Sequence, residues 1–317
     1  MGRLFRKTAH VVGCEATAQT FNIAHLRMGD RPSVEALYQV PNQGLTVERL
    51  RTLAKDLGLH NADWTWVLPA GSYQLMLVDV PEVPEEEIRD ALRWRVKDLI
   101  SFPLEEAAVD TLLLPKEAFR GRNRMAFAVV ARRSQTEPVE ELFGAAGLNL
   151  RSIDVADAAL RTLAAHTTQA TSVALLSVDM NESVLNASFQ DDLCLNRIIS
   201  LGAADLQRDQ EGGTEHNGLE LEGQSDVRLD SLGLELQRSF DYFETQLGLG
   251  MMAELQVLSQ TPLDTEVYRF LEDRFGLQAG PMQLADHLDF PAEATEADMV
   301  RSAAAIGSAL QWQRGRH

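Results

Sequence analysis

The chain repeats itself. Residues 10–15 form a short apolar run that closes on an acid, Glu15; a small polar turn follows, then two more apolar runs at 21–26 and 34–40. After Ser172 the order returns: a run at 173–179 closing on Asp179, a turn of Met180, Asn181 and Glu182, then runs at 184–189 and 193–199. Short apolar runs divided by turn residues read as strands of a meander. Internal similarity on this scale predicts two halves of one architecture. The 317 residues, 45% hydrophobic and 24% charged, suffice for two separate cores. The expected fold class is therefore α/β in two domains, 1–170 and 171–317.

Helical periodicity supplies the α layers. Val47, Leu50, Ala54 and Leu57 share one face of a predicted helix over 46–57, with Gly58 as its stop. Strands are expected at 64–68 and 73–78. Residues 84–100 give the strongest helix signal: Pro84 suits the first turn, Glu85, Glu86 and Glu87 face the positive end of the dipole, and Arg93, Arg95 and Lys97 come later. Its apolar stripe is Ile88, Leu92, Val96 and Leu99. Further on, the pattern predicts a strand at 125–131, a helix at 137–146 stopped by Gly147, and strand then helix across 153–166. In the second half it predicts helices at 231–247, 266–275 and 303–311 and a strand at 255–258. Residues 207–226 are rich in Glu, Gln, Gly and Asp and are expected to form a mobile acidic loop.

Charge and motifs exclude several functions. A formal net charge of −18 is the wrong sign for a general binder of nucleic acid or anionic lipid. Cys14 and Cys194 lie far apart and neither is in a CxxC, which fits a reducing compartment. The N-terminal Arg3, Arg6 and Lys7 precede no apolar run of signal-peptide length, and no run reaches the ~20 residues of a spanning helix, so membrane attachment is expected only through a partner. Gly248-Leu249-Gly250-Met251-Met252-Ala253 has the GxGxxA shape but follows a predicted helix instead of a strand, and reads as a helix stop. The seven histidines form no HxxxH, no serine stands in GxSxG and there is no Walker A sequence. No catalytic residue and no metal ligand is assigned, and the chain is not expected to be an enzyme. Arg93, Arg95 and Lys97 are a basic cluster in an acidic chain, read either as a solvated helix face or as a docking surface for an acidic segment. Trp94 lies off the apolar stripe, as a second-face core contact or an exposed anchor.

Several stretches carry a resemblance. Leu68-Pro69-Ala70-Gly71-Ser72 followed by Val80-Pro81 resembles the LPxxS…LP strand pair of the PilM-like pilus-assembly proteins. Residues 86–104, EEIRDALRWRVKDLISFPL, resemble the family's ALRWEAxxxIPFPL. Gly147-Leu148 through Ile153-Asp154-Val155 resembles AGLxxxxIDV, LQRSFDY at 236–242 resembles I-RRSLDY, and Gly307-Ser308-Ala309-Leu310 resembles the terminal GLAL. The order is kept along nearly the whole chain, and within the family the MshI proteins of mannose-sensitive haemagglutinin pili are most similar; the cytoplasmic part of GspL is a more distant relative. The resemblance implies an actin-like (ribonuclease H-like) fold of two α/β domains, with an FtsA/PilM-type subdomain inserted at about 80–146. It implies a cytoplasmic scaffold, peripheral to the inner membrane, that binds the cytoplasmic tail of a PilN-like membrane protein and links it to the assembly motor. Arg93, Trp94, Lys97, Phe102 and Leu104 are the partner-binding residues it suggests.

The chain departs from the family at its nucleotide loops. Glycine lets backbone N–H groups approach a phosphate closely. Where the family has DxGxxS this chain has Glu15-Ala16-Thr17-Ala18-Gln19, and where it has DIGxxxT this chain has Asp179-Met180-Asn181-Glu182-Ser183. The adenosine-side Gly-Gly is Ser259-Gln260-Thr261. Two like charges about 4 Å apart repel by roughly 4 kcal/mol at an effective dielectric near 20, so Glu182 opposes a phosphate. The degenerate nucleotide site would comprise Glu15, Thr17, Asp179, Asn181, Ser183 and Gly307, and no cofactor is expected. The alternative is an ATP-binding switch, with Asp179 holding Mg²⁺ or a water and Glu15 opposite it.

Overall fold

A computed structural model describes residues 9–29, 31–42, 44–119, 123–207 and 224–314. They divide into two compact units: Met1–Leu113, Asn123–Thr167 and Gln283–His317 form the first, and Leu114–Arg122 with Thr168–Met282 form the second.

The first unit opens with β1 (His10–Ala16), β2 (Thr20–Arg27), β3 (Ser33–Pro41), α1 (Val47–Asp56) and β4 (Asp63–Leu68). Then come β5 (Tyr73–Asp79), α2 (Ile88–Arg95), β6 (Ala107–Leu113), β7 (Met125–Arg132), α3 (Arg133–Ala146), β8 (Asn149–Val155) and α4 (Ala156–His166). Its main sheet has the order β3-β2-β1-β4-β8. β1 runs antiparallel to β2, and β4 and β8 follow parallel to β1. One face packs against α1 and α3 around Trp64, Trp66 and Phe143, whose rings meet edge-on at 5.7 and 5.9 Å. α1 starts because Thr46 accepts from the Arg49 N–H, and α3 ends because Gly147 adopts φ +74°.

The second unit comprises β9 (Ser172–Val178), β10 (Ser183–Phe189), β11 (Asp192–Ile199), α5 (Ala203–Leu206), α6 (Gln224–Asp241), β12 (Glu254–Ser259), α7 (Thr265–Phe275) and β13 (Gln278–Pro281). Its sheet order, β11-β10-β9-β12-β13, repeats the first in order and direction. α6 buries Leu232 and Leu236 and continues as a π-turn over Tyr242–Gln246; Gly248 and Gly250, both with positive φ, stop it before β12. The chain then returns to the first unit with α8 (Leu284–His287), α9 (Glu296–Arg301) and α10 (Ala303–Arg314). Twice over, an antiparallel meander is extended by parallel strands: these are the ribonuclease H-like lobes of the actin-like fold.

α10 explains why the division into 1–170 and 171–317 needs correction. Its small face lies between β1 and α4, so closely that a Cβ on Gly13 would sit 1.8 Å from the Ala305 carbonyl oxygen and one on Gly307 2.0 Å from that of Ala159. The described residues 283–314 therefore belong with the first unit. The inserted subdomain also shifts. A three-stranded sheet, β5-β7-β6, packs with α2 around Leu92, Val96 and Ala128, whereas α3 sends Val139 and Phe143 into the main core. The insertion thus spans β5 to β7 and excludes α3. The helix expected over 84–100 is a 3₁₀ turn, α2, and a second 3₁₀ turn (Val96–Asp98); the tighter winding ends the stripe at Val96 and leaves Leu99 56% exposed. Of the acidic loop expected over 207–226, residues 208–223 lie outside the described residues, and α6 already begins at Gln224.

Candidate functional site

β6 ends the three-stranded sheet and β8 ends the main one, and between these two edges a groove of about 840 Å³ opens within the first unit. It is lined by four consecutive residues of β6, Ala107 to Asp110, and five of β8, Asn149 to Ile153. Successive side chains of a strand point to opposite faces, so a cavity touching consecutive residues runs along a strand's edge. β6 pairs only with β7 and β8 only with β4 among the described residues. Leu68, Val129 and Val155 supply an apolar floor.

The walls come from α2 and α3, and their arginines are fixed by backbone carbonyls. Arg89 Nε donates to Val109 O at 3.3 Å, Arg93 Nη2 to Leu104 O at 3.4 Å and Arg133 Nε to Glu105 O at 3.1 Å. Asp90, Asp110, Glu137 and Glu140 stand among them, with Arg89 3.9 Å from Asp110 and Arg133 3.6 Å from Glu137. Edge backbone, apolar floor and walls of mixed charge suit an extended peptide, which draws affinity from main-chain bonds and register from side chains.

The residues suggested for partner binding do not all line one pocket. Arg93 lines the groove. Trp94, 69% exposed, and the exposed Lys97 line neither it nor a smaller pocket of about 330 Å³ between β3 and α1. Phe102 packs partly buried against the insertion's core, with the Arg132 guanidinium 4.0 Å above its ring. Leu104 is a buried core residue. Sequence reasoning missed β6, where Asp110 and Thr111 divide Val109 from Leu112 and Leu113, and reached only the end of β8, whose first half has Leu150 alone among polar residues.

The residues suggested for nucleotide binding fall into groups, each within its own unit. In the first, Glu15 is the penultimate residue of β1 and Thr17 begins the turn to β2. The Thr17 hydroxyl accepts from the N–H groups of Gln19 (3.3 Å) and Thr20 (2.9 Å), the Thr17 N–H reaches Thr20 O at 2.9 Å, and Asn42 Nδ2 holds Thr17 O at 2.7 Å. Gly307 lies against α4. In the second unit, Asp179 donates its N–H to Glu182 O at 2.9 Å, and the Ala203 and Ala204 N–H groups bind Asp179 O and Met180 O at 2.8 and 3.0 Å. Gly202 sits so close that a Cβ there would be 2.3 Å from Met180 O. Asn181 is exposed, and the buried Ser183 donates to Leu201 O at 2.7 Å. Ser259 Oγ donates to Thr261 O at 2.7 Å. Among the described residues no group of three or more His, Cys, Asp or Glu side chains could hold a metal ion.

One titratable cluster was not anticipated. Asp154, on β8, accepts from the Val155 N–H, and its Oδ2 has no hydrogen-bond partner among the described residues. Burial lifts its carboxyl to about 6, against the opposing Val155 bond and Arg161 charge. Nearby, the Tyr73 hydroxyl donates to Asp157 Oδ2 at 2.6 Å, and burial followed by that acid's charge pushes the phenol upward. The only sequence signal was the Ile153-Asp154-Val155 run.

No protein-family model and no curated protein matches the sequence. Solved structures do. A chain of the PilM-PilN type IV pilus biogenesis complex is similar at a TM-score of 0.64 with 21% identity, over 95% of this chain and 98% of its own. The chain has the actin-like fold. Two further structures cover most of their own and this chain's length at lower similarity. They are the cytoplasmic domain of EpsL, an inner membrane component of the type II secretion system of Vibrio cholerae (TM-score 0.47, 14% identity, 93% and 94% covered), and a Bacteroides thetaiotaomicron protein with actin-like ATPase fold (0.48, 9%, 96% and 98%). Among the described residues of this actin-like chain, no helix is long and apolar enough to cross a membrane.

Proposed function

We propose that this protein is a scaffold of a type IV pilus or related secretion platform, of the MSHA type by its sequence resemblance. In this reading it holds the cytoplasmic tail of a PilN-like inner-membrane protein in the groove between β6 and β8. It works at the cytoplasmic face of the inner membrane, attached through that partner, and couples it to the assembly motor. The observation that carries the reading is the groove itself. Two sheet edges face one opening, on a chain that shares its fold with a member of the PilM-PilN complex. Edge strands invite pairing, and although Arg89 already holds one β6 acceptor, Val109 O, the rest of the two edges beside fixed arginines offers a strand-addition site.

The fold family's triphosphate does not suit the loops of this chain. The Thr17 hydroxyl takes two turn N–H groups that a phosphate would need, and Glu182 adds charge of the wrong sign in the other loop. The protein acts as a scaffold without nucleotide turnover. The test is binding of a fluorescent PilN-like tail peptide. Ser152 is exposed on β8 and lines the groove, so Ser152→Trp fills it without touching the core. Binding by the wild type and a loss of at least about tenfold in Ser152→Trp are expected, since one blocked strand of contacts is worth well over 1.4 kcal/mol. Equal affinity of the two would overturn the groove assignment.

A further inference from the structure

The outer side of α2 carries a feature that the groove does not use. Trp94 and Leu99 are 69% and 56% exposed, and Arg95 and Lys97 stand exposed between them. Trp94 with Lys97, and Arg95 with Leu99, are neighbours at helical spacing. The 3₁₀ turn over Val96–Asp98 brings Leu99 out of the apolar stripe to the surface. Neither Arg95 nor Lys97 takes part in an ion pair among the described residues. Trp64 and Trp312 donate their indole N–H groups to Leu59 O and Asp63 Oδ2, whereas that of Trp94 has no protein acceptor among the described residues.

We propose that this tip, Trp94 to Leu99, is a direct contact for the surface of an anionic lipid bilayer. The occupant follows from shape and charge. A peptide needs a concave bed, and the groove that provides one is reached by Arg93 and not by Trp94 or Leu99. A bilayer interface takes the opposite: a protruding indole at headgroup depth, an aliphatic side chain beside it, and cations facing the lipid phosphates. The tip also carries the exposed Asp98, so Arg95 and Lys97 leave it a net charge of +1 (two cations less one acid) on a chain of net charge −18, and an anionic surface that opposes the acidic remainder favours this orientation. The contact is weak and needs no partner. It goes beyond the scaffold reading, in which the partner alone supplies attachment.

Flotation of the full chain with vesicles tests it. Binding to phosphatidylcholine vesicles carrying phosphatidylglycerol, and not to phosphatidylcholine alone, is expected. Tryptophan emission should shift to the blue and be quenched by brominated lipid, because Trp64 and Trp66 are buried and Trp94 is the exposed indole. Arg95→Glu/Lys97→Glu should weaken binding by about tenfold or more, at about 1 kcal/mol per basic residue near such a surface, and Trp94→Ala/Leu99→Ala should weaken it by about tenfold or more through lost apolar insertion. Both pairs are exposed, and unchanged circular dichroism would show that they fold. Equal binding to uncharged vesicles, retention by the Trp94→Ala/Leu99→Ala variant, or binding lost only on removal of residues 1–8 would each overturn the proposal.

Discussion

Replacing Gly307 by alanine would place a methyl carbon 2.0 Å from the Ala159 carbonyl oxygen, where ordinary contact begins near 3.4 Å. The obstruction is backbone, so no side chain can swing away, and α10 and α4 must part by about 1.4 Å. α10 cannot shift freely, because its Ala305 carbonyl already lies against Gly13 of β1. Ala303, Ala305, Ile306, Ala309 and Leu310 are all at most 3% exposed and would lose contact together. A radial gap of ~1 Å already forfeits up to about half of the dispersion well, and overpacking costs about 1–3 kcal/mol or more. Against this stands the gain of up to ~1 kcal/mol from alanine over glycine within a helix. The net expectation is a loss of about 2 kcal/mol or more. Urea unfolding followed by tryptophan emission measures it, since Trp64 and Trp66 sit in the core of the same unit. Gly144→Ala in α3 is the control: nothing lies within 4 Å of its Cβ, so it should be neutral or stabilising by up to ~1 kcal/mol. A Gly307→Ala protein as stable as the wild type would refute the close α4–α10 packing.

Two other predictions concern protons and nucleotide. Asp154 titrates at about 6 in the folded chain against an ordinary 3.8, so the native state holds this proton more tightly than the unfolded state does. Its contribution is therefore full below about 3.8 and is lost as pH rises through about 6. Asp154→Asn should gain stability relative to wild type by roughly 1–3 kcal/mol between pH 4 and pH 7.5, and a constant difference in urea titrations across that range would refute this. Mg·ATP should give no heat of binding in calorimetry, whereas micromolar affinity would contradict the internal use of the Thr17 turn and favour the switch reading.

The meanders were legible because each strand is a compact apolar run bounded by turns, and the internal repeat predicted two sheets of one topology. The return of α10 to the first sheet was not, since an alanine-rich helix does not announce which sheet it serves; only the carbonyl contacts at Gly13 and Gly307 decide it. Leu99 was read as core because an α-helical period was extended through a segment that tightens to 3₁₀. β13, with the sequence Gln-Ala-Gly-Pro, has no β propensity of its own and is a strand because β12 lies beside it. Of the residues suggested for partner binding only Arg93 lines the groove, and the two strand edges that bound it were not anticipated. An edge strand is defined by the neighbour it lacks, which no local pattern records. Thr17 shows the reverse case: the lost glycine was visible, but not that the substituted hydroxyl binds the turn's own N–H groups.

The central claim is that the β6 and β8 edges accept an extended tail, and amide hydrogen exchange tests it most directly. With a saturating PilN-like tail peptide, new protection should appear in β6 at 107–110, in β8 at 149–153, or in both, with the second unit unchanged. Protection elsewhere with both edges exchanging as in the free protein would contradict the account.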